Sequence, residues 1–427
     1  MTALRFPLGP TQRRQPSPAS KGARSRLSRA QSAIKTHSEK MNSRKHSATA
    51  GPEEERVLAL QGGGALGAYQ AGVYEALAEA EQTPHWVAGI SIGAINAALI
   101  VGNPPERRVQ RLHEFWDTVT SSSAFLGSPA APGVPLRGAL NESHATLGAV
   151  FGLPGFFVPR FPAAPFQLPG TAGALSFYDT APLRATLGRL VDFDLLNSGA
   201  MRLSVGAVNV RNGNFAYFDT ANQRLDARHI MASGALPPGF PPVEIDGEWY
   251  WDGGLVSNTP LQYVLDQADA KSKLVFQVDL FVAEGPMPTA LIQVAEREKD
   301  IRFSSRTRLN TTEALARQTL AQAARRLIAK LPSKLANDPD VQALNAASRE
   351  AAVTVVHLIN RRKHYETQSK DYEFSRASMR EHWQAGRADM DHTLGHPDWL
   401  ARTPPEDGVH VFDLTRKRMH QQPKDRP

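Results

Sequence analysis

From position 53 onward, apolar and polar residues alternate in blocks that predict a repeated strand–helix order. Arg56-Val57-Leu58-Ala59-Leu60 is a short apolar strand running directly into Gln61-Gly62-Gly63-Gly64-Ala65-Leu66-Gly67. Ala68, Ala71, Val73, Leu77 and Ala80 then recur at the spacing of one helix face. Trp86-Val87-Ala88 is a second apolar run, joined to the small-residue helical run Ala94–Ile100 through Gly89-Ile90-Ser91-Ile92-Gly93. Val109, Leu112, Phe115, Trp116 and Val119 mark a helix over Pro104–Val119. Ser121–Phe177 shows no period and is rich in Gly, Pro and Phe, which predicts a lid or mobile insertion; its Phe151–Phe177 part is expected to be an apolar flap. The other reading of this stretch is a loop whose aromatics plug the core edge.

The pattern resumes with a helix over Tyr178–Leu196, entered through Asp179-Thr180. Met201–Val210 and Asn214–Asp219 read as strands joined at Arg211-Asn212-Gly213, and Ala227–Ala235 as a short helix ended by Pro237-Pro238-Gly239. Glu244–Trp251 alternates around a turn and delivers Asp252-Gly253-Gly254; Asn258-Thr259-Pro260 opens a helix. Lys273–Val282 is a near-continuous apolar strand of the kind buried on both faces. Beyond Glu284, Thr289–Leu331 and Asp371–Asp391 are helical, whereas Ala352–Leu358 and Val409–Phe412 read as strands. The expected fold is α/β, a mainly parallel sheet with helices on both faces and the site at the C-terminal strand ends. The expected division is a disordered basic tail (1–52), a hydrolase domain (53–283) and a mostly helical C-terminal extension (284–427).

Charge changes the picture only at the start of the chain. The net +7 suggests a nucleic-acid binder, but residues 1–50 hold eleven Lys/Arg against the single Glu39. That tail therefore carries +10 and the remainder −3, so no nucleic-acid partner is expected. The tail is Ser-, Arg-, Gln- and Pro-rich without periodicity, and it lacks the apolar core of a secretory signal. A transit peptide, a translation start at Met41 and an attraction to anionic lipid are all compatible with it. There are no cysteines, which excludes disulfides, thiolate metal sites and a cysteine nucleophile. No run approaches the ~18–20 apolar residues of a membrane span. The expected location is the cytoplasm, with peripheral contact to a membrane or lipid surface.

Three stretches carry chemistry. Gly62–Gly67 sits between strand and helix, and its consecutive glycines let several backbone N–H groups converge on one anion. It also fits G-x-G-x-x-G, but Glu79 and Glu81 fall in or at the end of the helix rather than on a second strand, which weighs against a dinucleotide. Gly89-Ile90-Ser91-Ile92-Gly93 is a G-x-S-x-G turn, which in a strand–helix context exposes a serine above the sheet edge. Asp252-Gly253-Gly254 places a carboxylate at a strand end beside permissive backbone.

In this order the three motifs resemble the patatin-like phospholipases, over about Arg56–Val282. The resemblance implies a three-layer α/β/α lipid acyl-ester hydrolase. Ser91 would be its nucleophile and Asp252 its general base, with no histidine between them. It also implies an oxyanion hole at Gly62, Gly63, Gly64 and Gly67, an elbow flanked by Gly89 and Gly93, and a D-G-G motif ending in Gly253 and Gly254. The run Trp249-Tyr250-Trp251 is expected to supply the burial that makes the aspartate basic. The family loop often carries Arg or Lys at its fifth position, where this chain has Leu66. After Glu284, Asp371-Tyr372-Glu373-Phe374-Ser375-Arg376 with Met379-Arg380-Glu381-His382-Trp383 resembles the C-terminal extension of one bacterial branch. The expected partner is a lipid or acyl-ester substrate at a lipid surface; no cofactor and no metal is expected. The rivals are a Ser–His–Asp esterase using His357, His364, His382 or His410, and a catalytically silent protein of lipid or granule surfaces.

Overall fold

The computed structural model describes residues 54–121, 134–267, 271–348, 352–361, 369–405 and 408–415. The basic tail and His364 lie outside them. Strand β1 (Glu55–Leu60) leads through a 3-10 turn at Gly64–Gly67 into α1 (Ala68–Glu79). β2 (Trp86–Ile90) leads into α2 (Ile92–Val101), then α3 (Pro105–Val119) and α4 (Val134–Phe151). The two-residue strands β3 (Val158–Pro159) and β4 (Tyr178–Asp179) pair with each other before α5 (Ala181–Leu190) and α6 (Phe193–Leu196). There follow β5 (Arg202–Asn209), β6 (Phe215–Asp219), α7 (Ala227–Ser233), β7 (Val243–Ile245), β8 (Glu248–Asp252), α8 (Leu261–Asp266) and β9 (Lys273–Asp279). The last third is α9 (Leu291–Ile328), α10 (Pro339–Ala347), β10 (Val353–Ile359), α11 (Arg376–Gly395), α12 (Pro397–Leu400) and β11 (Val409–Phe412).

The sheet runs β11-β10-β9-β1-β2-β5, parallel throughout, and ends in antiparallel additions. β1 shows why its strands read as unbroken apolar runs. Leu58 and Leu60 face one core with α1, α2 and α3, while Val57 and Ala59 face a second core under Leu261 and Val264 of α8. Period-two alternation thus feeds a layer of helices on each side, the three-layer α/β/α arrangement.

Three expectations change. Residues 284–427 do not stand apart: β10 and β11 continue the central sheet beyond β9, and Glu53–Pro427 is one compact unit. α11 lies tightly on α1, where a Cβ on Gly72 would come within 1.9 Å of the Trp383 carbonyl oxygen and one on Gly386 within 2.0 Å of that of Tyr69. Within Ser121–Phe177 there is a helix, α4. Its apolar residues form no clear stripe, and Pro135 sits in its first turn, where proline is tolerated. The helix expected over Tyr178–Leu196 breaks at Val191, because Asp192 starts a new one by accepting the N–H groups of Asp194 and Leu195.

Candidate active site

Ser91 sits between β2 and α2 with φ 56° and ψ −123°, a left-handed conformation rare for a side-chain-bearing residue. The turn closes only because its neighbours lack side chains. A Cβ on Gly89 would lie 2.4 Å from the Gly93 carbonyl oxygen, and one on Gly93 would lie 2.4 Å from that of Leu60. The Ser91 N–H donates to Ser233 Oγ at 3.0 Å, and that hydroxyl donates to the Gly206 carbonyl at 2.6 Å. Ser233 therefore fixes the elbow from α7.

Sheet topology brings Asp252 to the serine. Along one edge of β5, Arg202–Gly206 pairs with β2 and Ala207–Asn209 pairs with β8; β6 takes the opposite edge. β2 ascends to Ile90 opposite Gly206, and β8 arrives antiparallel with Asp252 opposite Ala207, so the two strands meet end to end. The Ser91 Oγ donates to Asp252 Oδ2 at 2.6 Å, and the Gly254 N–H donates to Oδ1 at 2.7 Å. Asp252 is only 3 % exposed, and burial pushes its carboxyl up to about 6 against the opposing effect of those two hydrogen bonds. Of the run Trp249-Tyr250-Trp251, only Tyr250 shares a face of β8 with Asp252. Trp249 is 42 % exposed, and Trp251 lies on the opposite face of β8 from Asp252. Asp252 itself sits where β8 meets β2 along β5, its N–H held by the Ala235 carbonyl at 3.0 Å.

The glycine loop is held from both sides. Asn258 accepts the Gly62 N–H with its backbone carbonyl at 3.1 Å and donates its Nδ2 to the Gly62 carbonyl at 2.8 Å. Gln61 Oε1 accepts the N–H groups of Leu280 and Phe281, and Gln70 Nε2 donates to the Gln61 carbonyl at 2.6 Å. Of the four glycines expected to present donors, Gly62 is thus committed to Asn258. Gly67 serves packing: a Cβ there would meet Ile92 at 2.6 Å, and its carbonyl accepts from Asn96 Nδ2 at 3.0 Å. Gly63 and Gly64 remain, and among the described residues no acceptor takes either N–H. Gly64 has φ +53°, which favours glycine.

Two family models match the chain: one described as patatin-like phospholipase over residues 58–265, and one described as patatin phospholipase over residues 301–406. The chain belongs to the patatin-like phospholipase family. No curated relative matches it. Among solved structures it is similar to VipD from Legionella pneumophila, at 16% identity over 87% of this chain and 74% of that one, with a TM-score of 0.33. It is also similar to ExoU in the ExoU–SpcU complex of Pseudomonas aeruginosa, at 14% identity over 80% and 76% of the chains, with a TM-score of 0.25. Those scores are too low to bear on fold or function, which rest on the topology and the family models. Membership supports a lipid-hydrolase function.

In this patatin-like phospholipase the Ser91–Asp252 pair opens on a cavity of about 410 Å³ with a mostly apolar wall. Phe156 and Phe157 belong to that wall and to the core, 8 % exposed each, packed among Phe115, Phe240 and Tyr178. Of the two readings of this stretch, aromatics that plug the core edge is the one that describes these two rings, which also cover the cavity of Ser91. Leu66 is fully buried and points away from the site into the core. Nothing in the chain's motifs or periodicity singles out Ser233, and Asn258 stands out only as part of a helix start. Neither His357, His382 nor His410 lines the cavity.

Proposed function

We propose that the protein is a serine acyl-ester hydrolase in which Ser91 and Asp252 act as a dyad. The observation that carries the proposal is the 2.6 Å hydrogen bond from Ser91 Oγ to a buried, basic carboxylate at the floor of an apolar cavity. Asp252 Oδ2 takes the hydroxyl proton as Oγ attacks the ester carbonyl carbon. The oxygen that becomes negative is received by the N–H groups of Gly63 and Gly64, each such donor being worth ~3 kcal/mol. Collapse breaks the C–O bond; the leaving alcohol takes the proton from Asp252, and the acyl group stays on Ser91. Asp252 then deprotonates a water that attacks the acyl carbon, releasing a carboxylic acid and returning the proton to Ser91. With apolar walls, the group that fills the cavity is a fatty acyl chain.

Substrate would arrive from a lipid surface. The hairpin-like stretch around β3 and β4 exposes Phe161 (98 %), Phe166 (83 %), Leu168 and Phe177, while its Leu153, Phe156 and Phe157 line the cavity. Its one cation, Arg160, is bonded to Ser176 and Asp179, so the surface offers lipid no free positive charge. The proposal is tested by fluorophosphonate labelling and ester hydrolysis. Both should be lost in Ser91→Ala, and a folded Ser91→Ala protein that still turned over ester would remove the serine from the mechanism. A silent surface-binding protein would be left unlabelled in the wild type.

A further inference from the structure

The run Asp371-Tyr372-Glu373-Phe374-Ser375-Arg376 has no part in the chemistry proposed above, yet it crosses the site. It is fixed along its length. Lys299 bonds Asp371 at 2.7 Å and Lys370 bonds Asp300 at 2.6 Å, both nearly buried pairs that tie the run to α9. The Asp371 carbonyl accepts the Ala65 N–H at 2.9 Å, at the foot of the glycine loop. Ser375 Oγ caps α11 by accepting the Ser378 N–H at 3.2 Å, and Arg376 pairs with Asp117 of α3. Between these anchors Phe374 turns inward: its ring stacks on Trp116 at 6.3 Å and lies 6.0 Å from Phe156, and it lines the cavity with Asp371 and Tyr372. Salt bridges this well buried act less as net stabilisers than as devices that hold one geometry.

We propose that this strap is the acyl-chain gauge of the site, with Phe374 as its specificity-determining residue; the inference rests on the reading of the cavity as the acyl pocket. The strap cannot swing aside without breaking buried ion pairs on one side and the α11 cap on the other. Pocket size on this side is therefore set by the Phe374 side chain. A smaller residue lengthens the space open to a chain, and a larger one shortens it.

The test compares the full-length protein with Phe374→Ala, Phe374→Leu and Phe374→Trp on p-nitrophenyl butyrate, octanoate and dodecanoate, each as kcat/KM. Discrimination by a single methylene in an apolar pocket reaches about tenfold or more. The dodecanoate-to-butyrate ratio should therefore rise by about tenfold or more in Phe374→Ala, rise less in Phe374→Leu, and fall in Phe374→Trp. General loosening of the fold would lower all three esters in parallel and leave the ratio alone. Should Phe374→Ala not fold, the Leu and Trp variants still require shifts of opposite sign. Ser91-dependent hydrolysis with one ratio in every protein overturns the gauge while leaving the dyad standing. A folded wild type that hydrolyses none of the esters overturns both.

Discussion

Replacing Asp252 with asparagine separates what the buried carboxylate does for chemistry from what it does to stability. Its pKa rises from 3.8 to about 6 on folding. At 1.36 kcal/mol per pH unit that is about 3 kcal/mol against the folded state once the group is charged. Below the unfolded pKa both states are protonated and the penalty is absent; it grows as pH rises and is complete above the folded pKa. An asparagine side chain in its place would carry no charge at any pH. It can still accept the Gly254 N–H with its amide oxygen and turn its amide nitrogen toward Ser91 Oγ, so no buried polar atom is stranded. The variant should therefore be more stable than wild type at pH 8, by up to about 3 kcal/mol, with most of that advantage gone at pH 4. Activity should move the opposite way. Wild-type kcat/KM should rise through an ionisation near pH 6 and level off above it, and the variant should lose about 10²–10⁴-fold at the plateau. Denaturant melts at the two pH values and a pH–rate profile on a soluble ester supply both readouts. An Asp252→Asn protein within tenfold of wild-type turnover, or a stability advantage independent of pH, would refute the assignment of Asp252 as a buried base.

Other substitutions follow from single distances. Gly93→Ala sets a Cβ 2.4 Å from a backbone oxygen of β1, so it should prevent soluble expression rather than merely slow the enzyme. Asn258→Ala removes the side-chain hold on the Gly62 carbonyl and should lower kcat about tenfold or more with little change in melting temperature, measured on a short ester. Phe156→Ala should cost about 3–5 kcal/mol in denaturant melts, as for other large core aromatics. Phe161→Ser with Phe166→Ser should leave stability unchanged and depress hydrolysis of vesicle phospholipid far more than of a soluble butyrate ester. Equal losses on both substrates would show that these two rings do not meet lipid.

Features dictated by a few adjacent residues were legible in the sequence. The elbow is local, because its geometry forbids side chains at Gly89 and Gly93; β1, β2 and β9 announce themselves by near-continuous apolar runs with two buried faces. The meeting of Ser91 and Asp252 was not legible as geometry. They are 161 residues apart, and they touch because β8 takes over β2's place along β5, which no spacing reveals. Which phenylalanines are buried was not legible for a related reason. Phe156 and Phe161 look alike in a stretch without period, and only the cluster around Phe115 and Phe240 draws one in and leaves the other out.

The C-terminal third shows the same limit most clearly. Val353–Ile359 reads as a strand, yet the helices around it suggested an appendage. In the fold, α9 and α10 are the crossover between parallel strands β9 and β10, a connection that must be long because both strands run the same way. Once β10 is parallel to β1, β2 and β9, what comes after it must emerge at the C-terminal rim of the sheet, where α/β folds place their sites. The glycine loop follows β1, Ser91 follows β2, and Phe281 follows β9. The strap with Asp371 and Phe374 follows β10, and all four line one cavity. The extension thus supplies the cavity with a wall through the same topological rule that places Ser91.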